Sequence, residues 1–407
     1  MELDASILPA LSAPGEVITF YSYKGGVGRS MALAHIARQL AGAQDAARPD
    51  AARPVLMIDW DLDAPSLHQY FDCGDDGPGL LELFEACRLA LLGARSGPPQ
   101  EAEALALSVL RQVRWERYIS RAGEGGALYL MRAGCLDDSY GERRARLSWA
   151  DVFDACPALF RCFAQQLSQH FRYVLVDARA GRNESTGVCT ALLPQKMVLA
   201  FAPDRLGLEG LQGVVARAAA YRRSDEDDQR PLLVYPLPSR VDAADGPRRA
   251  HWRHGDPRLG IEGYQSLFER LLGETYGLQH LSLDSYFDEV QVQEVCLPAG
   301  ARTLPLREEG GDRFSLERSF GALLEWMGDS HFPWQSRREM AVREDLQATV
   351  AGLAHGLNRM NELLQNSSAD EYQQSARNSY AAAGRHGLHV VGDDERIPLD
   401  GTHAAPR

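Results

Sequence analysis

Six short apolar runs, each too brief for a helix and spaced by helical stretches, restrict this chain to a sheet wound with helices. They are VITFYSY (17–23), VLMIDWD (55–61), LYLMRAG (128–134), YVLVDAR (173–179), KMVLAFAP (196–203) and PLLVYPLP (231–238). Near-continuous hydrophobicity marks strands covered on both faces. Helical patterns such as GRSMALAHIARQLAG and GLEGLQGVVARAAAYRR fill the intervals. Strand and helix in alternation imply an α/β fold, a doubly wound, mainly parallel sheet flanked by helices. The stretch from about 79 to 127 exceeds one crossover and predicts an insertion of extra helices, broken at GARSGPPQ.

This α/β unit is expected over residues 1–335. Beyond it, Val342, Leu346, Val350, Leu353, Leu357, Met360 and Leu364 follow spacings of three and four, predicting one amphipathic helix over 336–366. Residues 367–407 are polar and expected to be disordered. The formal net charge of -13 argues against nucleic acid as the main ligand, because a dedicated binder shows a basic face. Seven cysteines without a CxxC pair suggest reduced thiols. With no positively charged leader and no apolar run long enough for a transmembrane segment, a cytoplasmic protein is expected.

The chemistry gathers in three places. In YSYKGGVGRSMAL, a strand leads through Gly25, Gly26, Val27 and Gly28 into a helix that starts near Ser30. Such a loop turns its amides inward onto a phosphate, and the helix end adds its positive dipole. The usual pattern ends in Lys-Ser or Lys-Thr; here Arg29 precedes Ser30, and the lysine comes early, at Lys24. Only Lys24 and Lys196 are lysines among 43 basic residues, so a lysine inside this loop is selected rather than a default cation. A compact ammonium enters a phosphate cleft more readily than a planar guanidinium. Gly-rich turns also occur for packing alone, but not usually with this spacing.

The second place is the acidic strand end, Asp59, Asp61 and Asp63, which alternate along one face where ligands bind such sheets. A carboxylate there can orient water or hold magnesium through its waters, although Asp63 by itself reads as a solvated turn. The third is YVLVDARAG, four apolar strand residues ending at Asp177, with Gly181 placed to offer an amide to a γ-phosphate.

Taken together, the three segments resemble the deviant Walker A ATPases of the MinD/ParA group, a SIMIBI-class P-loop family. The members carry a K-G-G-x-G-K-[ST] loop, a D-x-D and a strand-ending D-x-x-x-G. The stretches FYSYKGGVGRSMALA, DWDLDAPSLHQYF and DARAGRNESTGVCTALLP look like the branch named for its KGGVGR variant, found in prokaryotic defence and conflict loci. The likeness covers about 15–330. It implies ATP and Mg2+ as cofactors, slow hydrolysis, and an ATP-dependent homodimer that regulates a protein partner encoded nearby. It also implies that Lys24 reaches the partner's phosphates, that Asp61 activates water, and that Ser30, Asp59 and Asp177 form the metal side. The chain departs from the pattern at Arg29, which keeps charge but changes its geometry. Met31 replaces a hydroxyl residue near the α-phosphate, and Arg240, in YPLPSRVD, stands where relatives read adenine. Two other readings stay open: a nucleotide-binding pseudo-ATPase scaffold, and a ParA-like DNA-partition ATPase, which the charge disfavours.

Overall fold

All six apolar runs form strands, and together they make one sheet. The computed structural model describes residues 8–9, 11–42, 53–71, 73, 77–94, 101–122, 127–224, 231–242, 244–295, 315–328 and 331–335. Beyond these it describes the helical positions Glu339, Val342, Leu346, Thr349, Val350, Gly352, Leu353, Leu357 and Arg359. The strands are β1 (Glu16–Tyr21), β2 (Val55–Asp59), β3 (Ser120–Arg121), β4 (Leu128–Met131), β5 (Tyr173–Asp177), β6 (Lys196–Phe201) and β7 (Leu233–Pro238). Their order is β3-β4-β2-β5-β1-β6-β7, and only the short β3, not foreseen from the sequence, runs antiparallel. The doubly wound α/β expectation holds.

The connections explain where the chemistry sits. From β1 the chain passes through α1 (Arg29–Gly42) to β2, which lies two places away because β5 later inserts between them. Direction reverses beside β1, and the crevice outside the strand ends at such a reversal is where open sheets bind ligands. In the β2–β5 pairing Asp59 stands opposite Asp177, so both acids finish at the same edge. Trp60 is 1% exposed and packs at 5.2 Å from Trp149 and 5.5 Å from Phe84. Burying that ring anchors the backbone between Asp59 and Asp61 and fixes where the two carboxylates can go.

Within 79–127, the helices α2 (Leu80–Ala94) and α3 (Ala102–Val113) pack on each other, and α3 packs on α6 (Ala158–His170). Between them and β5 lie α4 (Tyr140–Arg146) and α5 (Trp149–Ala155). The helix after β6 is α7 (Arg205–Ser224); α8 (Gly246–His254), α9 (Tyr264–Tyr276), α10 (Asp284–Glu289) and α11 (Leu316–Met327) complete this unit, with α11 against α1. A small hairpin at 255–262 was also missed, because its two strands are only two residues each.

Contacts divide the chain into Met1–Arg337 and Arg338–Arg407. In the second unit Val342, Leu346, Val350, Leu353 and Leu357 lie on helix and are exposed. Met360, Leu364 and the tail expected to be disordered fall outside the described residues. No described helix is long and apolar enough to cross a membrane.

Candidate functional site

The loop between β1 and α1 is shaped by two glycines with left-handed backbones, Gly26 at φ 74° and Gly28 at φ 82°. An L side chain is strained in that region, so the turn needs glycine at both positions. Nothing stands within 4 Å of a side chain added at Gly25 or Gly26, which leaves that side of the loop open. From the other side, Ser239 Oγ at the end of β7 donates to the Val27 carbonyl at 2.7 Å. Met31 lies against Gly28. The loop therefore opens onto the start of α1, where unpaired helix amides favour an anion.

Arg29, the first residue of α1, joins the two acidic strand ends. Its Nε donates to Asp177 Oδ1 at 2.5 Å and its Nη2 to Asp61 Oδ2 at 3.0 Å. Ser30 Oγ donates to the second oxygen of Asp177, also at 2.5 Å. Arg29 is 8% exposed and Asp177 fully buried, so the cluster is a largely dry ion triad. Burial works against the charge of Arg29, yet Asp177 and Asp61 outweigh it and hold the guanidinium pKa above its ordinary value. Burial raises Asp177, with Arg29 and Ser30 pulling the other way. The planar fork of arginine suits this bridging; a lysine ammonium could not span two carboxylates in the same way.

The three alternating aspartates go to three different partners. Asp59 faces its own loop: Oδ2 accepts from the Ser66 and Leu67 amides at 3.0 and 3.1 Å, and Oδ1 from the Asp61 amide at 3.3 Å. Burial and the neighbouring Asp177 push its carboxyl up to about 7 against the pull of those amides. Asp61 faces Arg29. Asp63 sits between Arg179 (2.5 Å) and Arg144 (3.2 Å), tying the loop to α4 and to the segment after β5. Asp63 is thus paired and not the solvated turn its sequence context suggests; the pairing has no sequence signal beyond the arginine-rich YGERRAR of α4.

Other expected site residues are placed as follows. Lys24 Nζ pairs with Asp204 of the same chain at 2.7 Å, with its side chain 41% exposed. The Gly181 amide donates to the Ser22 carbonyl at 3.1 Å, and Gly181 has φ 76°. Arg240, at φ 54°, pairs loosely with Glu294 at 3.5 Å and lines a cleft of about 250 Å³ with Trp252 and Tyr264. Tyr23 stands where the usual phosphate loop has its first glycine, and its ring lies on Gly210 of α7, where an added Cβ would overlap the ring carbons. Gly210→Ala is therefore expected to cost about 1–3 kcal/mol of stability by overpacking, despite alanine's better helix propensity. In a Tyr23→Ala background the same change should become stabilising, and a thermal-melt double-mutant cycle measures the reversal.

The donors present suit magnesium only in part. Ser30 Oγ and Asp177 converge at the start of α1, a hydroxyl and a carboxylate of the kind magnesium accepts beside phosphate and water. No group of three or more His, Cys, Asp or Glu among the described residues is arranged to hold a metal alone. The donor set thus fits an ion that shares a phosphate ligand rather than one caged by protein.

No protein-family model and no curated protein matches this chain. Solved structures that overlap it include the ATP complex of Cyanothece McdA, at 14% identity and TM-score 0.40, covering 66% of this chain and 99% of that one. A putative plasmid partition protein from Borrelia burgdorferi bound to AMPPNP has 13% identity and TM-score 0.43, covering 77% and 98%. The septum site-determining protein MinD from Pyrococcus horikoshii, complexed with Mg-ADP, has 19% identity and TM-score 0.33, covering 55% and 81%. Scores this low leave function to rest on the loop and its acids.

Proposed function

We propose that the chain is an ATPase of the MinD/ParA kind, binding ATP with magnesium at residues 24–31 and hydrolysing it slowly. The observation that supports this most is the meeting of Arg29, Ser30, Asp61 and Asp177 at the N-terminus of α1. The amides from Gly25 to Ser30 would cradle the phosphates. Arg29 would trade its carboxylates for phosphate oxygens, which accept from its fork equally well. Asp61 would then be released to orient a water toward the γ-phosphorus, the bond to the bridging oxygen breaking as phosphate departs. Magnesium held by Ser30 and Asp177 would neutralise phosphate charge. Asp59 supports this arrangement by keeping the 60–67 loop in shape. Arg240 is the side chain proposed to meet the base.

In this reading Lys24 acts across an ATP-dependent homodimer, and the dimer regulates a protein partner, in a defence setting. Its bond to Asp204 is half exposed, and such pairs are worth about 0–1 kcal/mol, so releasing it is cheap. The pseudo-ATPase reading draws on the same triad: if Arg29 never leaves Asp61, nucleotide binds without turnover. Calorimetry with Mg-ATP tests the site. Ser30→Ala combined with Asp177→Ala is expected to abolish binding, and undiminished affinity in that double variant overturns the assignment.

A further inference from the structure

A second cavity, of about 700 Å³, opens between α5, the segment from Arg182 to Leu192 and α7. None of Lys24, Arg29, Ser30, Asp61 or Asp177 lines it, so it stands apart from the phosphate loop. Its lining is mainly apolar, with Trp149, Phe153, Val188, Leu192, Val214 and Tyr221 as the larger side chains. Cavities of this size and character take small organic ligands, held by a few convergent polar groups.

The polar groups here are two arginines. Gly213, on α7, clears the space that the Arg182 guanidinium occupies, and Arg217 Nη1 comes within 3.6 Å of the same point. Two like charges of the cavity lining therefore converge over one glycine of α7. Neither has a hydrogen bond or ion pair to any described residue. Neighbouring arginines behave differently: Arg144 and Arg179 share Asp63, and Arg143 pairs with Glu82. Of the other charged residues in the lining, Glu184 is taken up at the start of α5, accepting from Ser148 Oγ and the Ala150 amide at 2.8 Å each. Asp154, on the last turn of α5, is the remaining charge.

We propose that this cavity is a binding site for a small amphipathic carboxylate, its apolar body against Trp149, Val188 and Val214 and its head between Arg182 and Arg217. A carboxylate accepts two parallel bonds from a guanidinium and can be shared by two, which relieves the repulsion between them. An apolar body is required because the lining beneath offers little else to a ligand. Gly213 lies behind the lining and acts through Arg182, since a larger residue there displaces that guanidinium.

The test uses the full chain and sodium decanoate below its micelle concentration, followed by calorimetry, with decanol as the uncharged analogue. Decanoate is expected to bind saturably, one per chain, and decanol more weakly. Arg182→Gln with Arg217→Gln should weaken decanoate by about tenfold or more, the worth of losing charge-assisted bonds from two forks. Gly213→Ala, which favours the helix itself, should weaken it as well, and thermal melts show that both variants fold. Three results overturn the proposal: no saturable binding, decanol binding as tightly as decanoate, or wild-type affinity in the double arginine variant. Loss of ATP binding in the loop variants would not touch this result, so the two readings fail independently.

Discussion

Arg29→Ala is expected to destabilise the free protein by about 3–5 kcal/mol, because it strands two buried carboxylates without their counter-ion. The loss should depend on pH, and its sign follows from proton uptake. Burial already raises Asp177, and its neighbour Asp59 is pushed up to about 7; Arg29 pulls Asp177 down, so removing the guanidinium raises Asp177 further. Between the ordinary carboxylate value near 4 and these raised values, the folded state binds more protons than the unfolded one. Stability then falls as pH rises through that window. The deficit of the variant against wild type should therefore be largest above about pH 7 and shrink on acidification toward pH 5. Denaturant melts across that range check it. A deficit that stays flat with pH would mean that the carboxylates are not what Arg29 stabilises.

The same variant separates two functions of one side chain. If Arg29 also meets phosphate, nucleotide affinity should drop by about ten- to a hundredfold, the range for lost hydrogen bonds to a charged group. Arg29→Lys should restore a phosphate contact but not the two-carboxylate bridge. It is expected to recover nucleotide affinity more fully than stability. A lysine variant that recovers stability but not affinity would reverse the roles.

How much of this was legible beforehand depends on the range of the interaction. The strands were readable because burial on both faces leaves an unbroken apolar run, as in YVLVD and KMVLAF. The loop was readable because its glycines, Ser30 and the following helix are local in sequence. The grouping of Asp59, Asp61 and Asp177 at one edge followed from where strands end. What each acid touches did not follow, since Arg29 reaches Asp177 across 148 residues of chain, and Asp63 meets Arg179 across 116. Alternation placed Asp59 and Asp61 on one face, yet the loop after β2 curls back and claims Asp59 with its amides, which no periodicity expresses. Tyr23 on Gly210 and Arg182 on Gly213 were hidden for a related reason. A glycine in a helix reads as a weakness until its covering side chain is known.

Asp61→Ala should lower ATP hydrolysis by about 10²- to 10⁴-fold while leaving nucleotide bound, since a group that positions or activates water acts mainly in the chemical step. Asp61→Asn, closer in shape, controls for the loss of Arg29's second partner. Lys24→Ala should also lower hydrolysis more than binding, for a different reason. In the free chain its ammonium rests on Asp204; in a dimer it would meet the other chain's phosphates in a water-poor interface, where a point charge acts strongly. Mixing the two inactive chains distinguishes trans from cis. In a mixed dimer the Lys24→Ala chain still supplies Asp61, and the Asp61→Ala chain lends it Lys24. One of the two sites is then complete. With random pairing half the dimers are mixed, so about a quarter of wild-type activity should return. Were Lys24 to serve its own chain, every site would lack either the lysine or the aspartate. The mixture would then stay as inactive as its parents even with mixed dimers present.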